Sequence, residues 1–70
     1  MEMSARNQLQ GTVRSIKQGG VMTEVIIDLP GGQQITSVIT NDASESLRLH
    51  EGDSVVAIVK STEVMIGKNM

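Results

Sequence analysis

Two short runs of this chain cluster hydrogen-bond donors: Ser4-Ala5-Arg6-Asn7 near its start and Lys60-Ser61-Thr62 near its end. They combine hydroxyl, amide, guanidinium and ammonium groups with almost no apolar bulk, so neither suits a core. The chemistry such groups support is capture of a tetrahedral oxyanion. That task needs several donors converging within about 3 Å to replace a hydration shell, and little else. Thr40 joins them as a candidate, because it stands at an expected strand-to-helix junction where free amides present a positive dipole end. On composition alone the same runs read more readily as ordinary polar strand ends, and composition does not decide between the two.

Catalytic groupings are weaker. His50 precedes a Gly-Asp turn and is expected as a solvated loop residue rather than a general base. Glu24 and Asp28 alternate on one strand face, where two acids are ordinarily solvated charge. Gly19-Gly20 and Gly31-Gly32 lack the lysine and helix context of a phosphate loop and read as turns. No enzyme and no direct metal-cation site are expected.

The elements that must position the donors are short. Leu9 to Ile16 is an expected strand whose apolar parity slips between Val13 and Ile16, the mark of a bulge or strong twist. After a Gln18-Gly19-Gly20 turn, Val21 to Leu29 alternates cleanly, with Val21, Thr23, Val25, Ile27 and Leu29 on one face. Pro30-Gly31-Gly32 implies a hairpin into a strand over Gln33 to Thr40. Asp42 with Glu45 three residues on resembles a capping box, predicting a helix over Ala43 to Leu49 with Leu47 as its inward anchor. Glu51-Gly52-Asp53 turns the chain into a strand over Ser54 to Lys60, and Val64 to Ile66 is expected as a fifth. Five short strands and one helix after the third predict an all-β, OB-like Greek-key barrel.

Residues 1–70 form one expected domain, and its composition restricts the partners. The net charge is −2 and the chain has no Phe, Tyr or Trp, which opposes both phosphate-backbone binding and base stacking. No apolar run spans a membrane and no signal peptide is visible, so a cytoplasmic location is expected. Without cysteine or large aromatic side chains, a domain below roughly 70–80 residues lacks the usual supports of a small core. Self-association is the support that remains.

The wording of the sequence adds a resemblance. Ser-Ala-Arg-Asn-Gln-Leu-x-Gly-x-Val at Ser4 to Val13 resembles the opening of the molbindins, the small molybdate-binding Mop proteins of the TOBE type. Gly-Gly-x-x-Ile-Thr-Ser-x-Ile-Thr at Gly31 to Thr40 resembles their middle, and Glu51-Gly52-Asp53 followed by Val59-Lys60-Ser61-Thr62-Glu63-Val64-Met65-Ile66 their end. The resemblance implies exchange of the N-terminal strand between protomers, a homohexamer built as a trimer of dimers, and molybdate or tungstate held at subunit interfaces for storage or homeostasis. It implies contacts from Ser4, Ala5 and Arg6, from Lys60 and Ser61 of a neighbouring chain, and from Thr40, with Asn7 and Thr62 in support. A second class of site would use Gly20, Val21, Met22 and Ser37. One departure falls at Ala43, where the family's regulators carry serine; Ser44 is adjacent. Because the module recurs in regulators and transporter ATPases, the alternative implied role is an anion-responsive regulatory or assembly module acting through a partner protein.

Overall fold

A computed structural model describes residues 3–69. Its strands are β1 (Asn7–Gln18), β2 (Met22–Asp28), β3 (Gln34–Thr40) and β4 (Ser54–Val59), with a helix α1 (Asn41–Ser46) after the third. They form one antiparallel sheet in the order β3-β2-β1-β4. The fourth strand thus returns beside the first, which is Greek-key connectivity. β1 is shared between two neighbours: Asn7 to Thr12 pair with β4, and Thr12 to Gln18 pair with β2. The handover needs a strong bend, and the register shifts between Val13 and Ser15 as the parity slip predicts.

Gly11 sits beside this handover. A Cβ there would stand 2.6 Å from the Asp28 carbonyl oxygen and 2.6 Å from Ile27 Cγ2, so only glycine lets the two strands approach so closely. The concave face carries the core, with Val13, Val25 and Ile27 buried and Ile16, Leu29, Ile35, Ile39, Leu49, Val55 and Ala57 packed around them. The expected inward face of β2 is therefore present from Thr23 to Leu29. Val21 is 72% exposed and precedes the strand.

The helix differs from expectation at both ends. Thr40, not Asp42, is its N-cap, with its hydroxyl oxygen accepting from the Ala43 amide at 3.0 Å. Asp42 occupies the first turn, where its charge favours the dipole. At the other end Arg48 N–H donates to Glu45 O and Leu49 N–H to Ser44 O, the paired bonds of a Schellman motif. This reversal rotates Leu49 onto the core and leaves Leu47 66% exposed, so Leu49 is the anchor. Arg48 occupies the left-handed position, at φ 52°, where glycine is usual. Arg48→Gly is expected to stabilise the fold by about 1 kcal/mol, read as a higher denaturant midpoint at unchanged slope.

The expected fifth strand is absent. Ser61–Glu63 form a 3-10 turn, Val64 after it is extended, and Val64 to Ile66 lie in no ladder among the described residues. A strand exists through its neighbour's hydrogen bonds, and the described residues offer this segment no neighbour. The sheet is accordingly a curled half-barrel of four strands, not a closed barrel of five. Exchange of the N-terminal strand also has no counterpart in the single chain, since β1 pairs with its own β2 and β4.

Candidate functional site

The ladder between β1 and β4 brings the two donor runs together. Asn7 is the Cα partner of Val59, so the residues immediately before β1 and immediately after β4 emerge at one end of the sheet. Ser4, Arg6, Lys60, Ser61 and Thr62 are all exposed there, while Ala5 and Asn7 are partly buried. Among the described residues neither Arg6 nor Lys60 makes an ion pair; the cation paired with a carboxylate is Arg14, with Asp28 at 3.2 Å. Two unneutralised cations beside three hydroxyl groups make a local positive field that a net charge of −2 does not cancel. Gln8, part of the opening motif but not among the expected anion contacts, donates from Nε2 to Ala5 O at 2.9 Å. Its own strand position gives no sign of that role.

Thr40 lies elsewhere. It pairs with Met22, and Met22 follows the turn at the Gln18 end of β1. Ser4–Asn7 and Lys60–Thr62 are at the Asn7 end, so the candidates divide between two poles separated by a strand of 12 residues. At a rise near 3.3 Å per residue, that separation approaches roughly 35 Å if the strand were straight. One chain alone does not bring Thr40 beside Arg6. The Thr40 oxygen is occupied as a cap, but its hydroxyl hydrogen stays available for donation.

The second pole holds Gly20, Val21 and Met22, the amide-rich candidates. Among the described residues the Gly20 and Val21 amides have no backbone acceptor. Ser37 is not with them: it pairs with Val25 in mid-sheet and borders an apolar cleft. The residue organising this pole is Asn41, which the sequence did not reveal. Its backbone N–H donates to Val21 O, its Nδ2 to Gly19 O and Gly20 O, and its Oδ1 accepts from the Thr23 hydroxyl. Thr23 is the one buried polar side chain among the described residues, at 1% exposure. Asn41→Ala leaves that hydroxyl unpaired and is expected to cost about 1–3 kcal/mol in a denaturant titration, with Asn41→Asp recovering the acceptor but not the turn contacts. No sequence motif marks contacts made across twenty residues by one side chain.

His50 is a surface residue beside Asp53, whose carboxylate accepts from the His50 backbone amide at 2.8 Å and so shapes the turn. The described residues contain no cluster of three or more metal-ligating side chains and no helix long and apolar enough to cross a membrane.

The TOBE domain family matches residues 3–66. The chain belongs to that family, in its small Mop branch. Molybdenum-pterin-binding protein 2 of Clostridium pasteurianum is 50% identical over 66 residues, spanning 94% of this chain and 97% of that one. A molybdate-binding protein of Sporomusa ovata has the same Mop architecture, with a TM-score of 0.91, 40% identity, and coverage of 97% of this chain and all of that one. The cytoplasmic molybdate-binding protein ModG, solved with molybdate bound, superposes with a TM-score of 0.83 at 44% identity, covering 87% of this chain and 43% of ModG. These relatives are described as molybdenum-pterin-binding or molybdate-binding proteins.

Proposed function

We propose that this Mop protein binds molybdate, or tungstate, at interfaces between copies of itself in the cytoplasm, and so stores or buffers the oxyanion without covalent chemistry. The observation that carries this reading is the division of donors between two poles. The runs carrying Arg6 and Lys60 emerge at one end of a chain's sheet and Thr40 lies at the other, which supports a site completed by a second chain. The reading keeps the site at an interface, with Lys60 and Ser61 supplied by a neighbouring chain as the resemblance implies. A homohexamer arranged as a trimer of dimers gives every first pole a second pole to face. Gly20, Val21 and Met22 would then serve a separate amide-lined site, without Ser37.

The name of the clostridial relative joins molybdenum to a pterin. A pterin ring favours an aromatic face to stack on, and this chain has no Phe, Tyr or Trp. The free oxyanion fits the donors better.

Mixing chains tests the interface. Arg6→Ala and Thr40→Val homo-oligomers should each bind molybdate weakly. Refolded together, they should regain strong sites at about one in four by random pairing, because intact Arg6 and intact Thr40 then meet across chains. No recovery in mixed oligomers would contradict the shared site. A module signalling to a partner protein would instead show molybdate-dependent capture of that partner.

A further inference from the structure

Three successive carbonyls at the Gly20 pole point to one residue. Asn41 Nδ2 donates to Gly19 O at 3.1 Å and to Gly20 O at 3.3 Å, and Asn41 N–H donates to Val21 O at 2.8 Å. The partners fix the orientation of the side chain. Carbonyl oxygens only accept, so the atom facing them is the two-hydrogen amide nitrogen, and Oδ1 is left to the Thr23 hydroxyl. No peptide bond is cis among the described residues. In a planar trans peptide the C=O and the following N–H point in opposite directions. Drawing the oxygens of Gly19, Gly20 and Val21 to Asn41 therefore turns the N–H groups of Gly20, Val21 and Met22 away from it.

The hairpin gives up a bond to reach this state. Gly19 and Met22 face one another across the end of β1 and β2, where a hydrogen-bonded antiparallel pair exchanges two bonds. Gly19 N–H donates to Met22 O at 2.8 Å. Among the described residues the reciprocal bond from Met22 N–H to Gly19 O is not made, and that oxygen accepts from Asn41 instead. The Gly20 and Val21 amides also lack a backbone acceptor, both residues are exposed, and a Cβ placed at Gly20 meets nothing within 4 Å. A side chain that served the turn alone would have no reason to displace a hairpin bond and leave its amides open.

We infer that Asn41 is the positioning residue of this pole, holding the Gly20, Val21 and Met22 amides outward as a row of donors for a tetrahedral oxyanion. The inference rests on the reading of this pole as an amide-lined site, and adds to it the side chain that sets the direction of the amides. Successive N–H groups displayed by a turn form an anion-binding concavity. Asn41 does not touch the anion; it acts through the far side of the peptide planes. Its value is that the donors are already free, so no hairpin bond has to break when the anion arrives.

Hydrogen exchange in anion-free protein separates this role from simple stabilisation by its sign. Asn41→Ala releases Gly19 O to accept the reciprocal hairpin bond, so the Met22 amide should exchange on the order of tenfold more slowly than in the parent. A merely structural loss speeds exchange instead. Thr23→Val is the comparison: it removes the other partner of the Asn41 side chain and keeps both carbonyl bonds, so Met22 exchange should not slow. Equal or faster Met22 exchange in Asn41→Ala would overturn the inference. The second readout is equilibrium dialysis against molybdate in a background of Arg6→Ala with Lys60→Ala, which leaves the amide-lined site to dominate. Asn41→Ala added there should weaken the remaining binding by about tenfold or more, and Thr23→Val by less than about twofold. Unchanged binding with Asn41→Ala would also overturn the inference. No binding by the background protein would overturn the amide-lined site and the donor role with it, while the exchange measurement would still decide the orientation of the amides.

Discussion

Replacing Arg6 with alanine is expected to weaken molybdate binding by about 10- to 100-fold, the loss of one charge-assisted contact worth roughly 1.5–3 kcal/mol. Arg6 is exposed and makes no ion pair among the described residues, so its removal should leave circular dichroism and unfolding midpoint nearly unchanged in the absence of anion. Lys60→Ala should weaken binding in the same direction. Arg6→Lys should fall between, since an ammonium keeps the charge but cannot present two parallel donors to one oxyanion. Titration calorimetry of the three variants checks the order, and equal affinities for Arg6→Ala and the parent would remove Arg6 from the site.

The largest expected effect on folding is at Gly11. Alanine there would place Cβ 2.6 Å from the Asp28 carbonyl oxygen, and that atom is backbone, so relief requires moving β2 rather than a side chain. The cost is about 1–3 kcal/mol for an overpacked site, out of a total near 3–10 kcal/mol for a domain this small. Gly11→Ala should therefore lower the unfolding temperature by on the order of 5–20 °C. Gly20→Ala is the control, because a Cβ at Gly20 meets nothing within 4 Å. Equal melting of the two variants would show that the β1 handover is looser than the contact implies.

These two residues also mark what the sequence discloses. Arg6 is legible because a charge beside small polar residues at a strand end has no use in a core. Lys60 is legible for the same reason, and antiparallel pairing of the flanking strands brings both to one pole. The β2–β3 hairpin is legible because Pro30-Gly31-Gly32 interrupts two alternating runs; Gly31 and Gly32 adopt φ of 91° and 89°.

The helix end was obscured because its Schellman motif is built on Arg48, so the usual glycine signal is missing. Leu47 looked inward by periodicity, yet the motif hands that role to Leu49. Asn41 was hidden because its partners, Gly19, Gly20 and Thr23, are near only after β2 and β3 have paired. Val64 to Ile66 is apolar and strand-like in its residue types and yet forms no strand, because a strand's existence depends on the edge it meets.

The division of Thr40 from Arg6 is the same lesson at the site. Residue types marked both as donors, while their register on opposite ends of β1 was needed to show that one chain cannot use them together. On the proposed reading, oligomerisation, expected from a meagre core, is a requirement of binding as well. Anion bound between chains should in turn stabilise the assembly by mass action, by about 2.7 kcal/mol at a hundredfold excess over the dissociation constant.

The most direct measurement of the central claim is equilibrium dialysis of the oligomer against molybdate, with and without excess sulfate, scored as anions bound per chain. Saturable binding of about one anion per chain or slightly more, unaffected by sulfate, is the predicted result. Absence of saturable binding, or its abolition by sulfate, would contradict a molybdate site built from these donors.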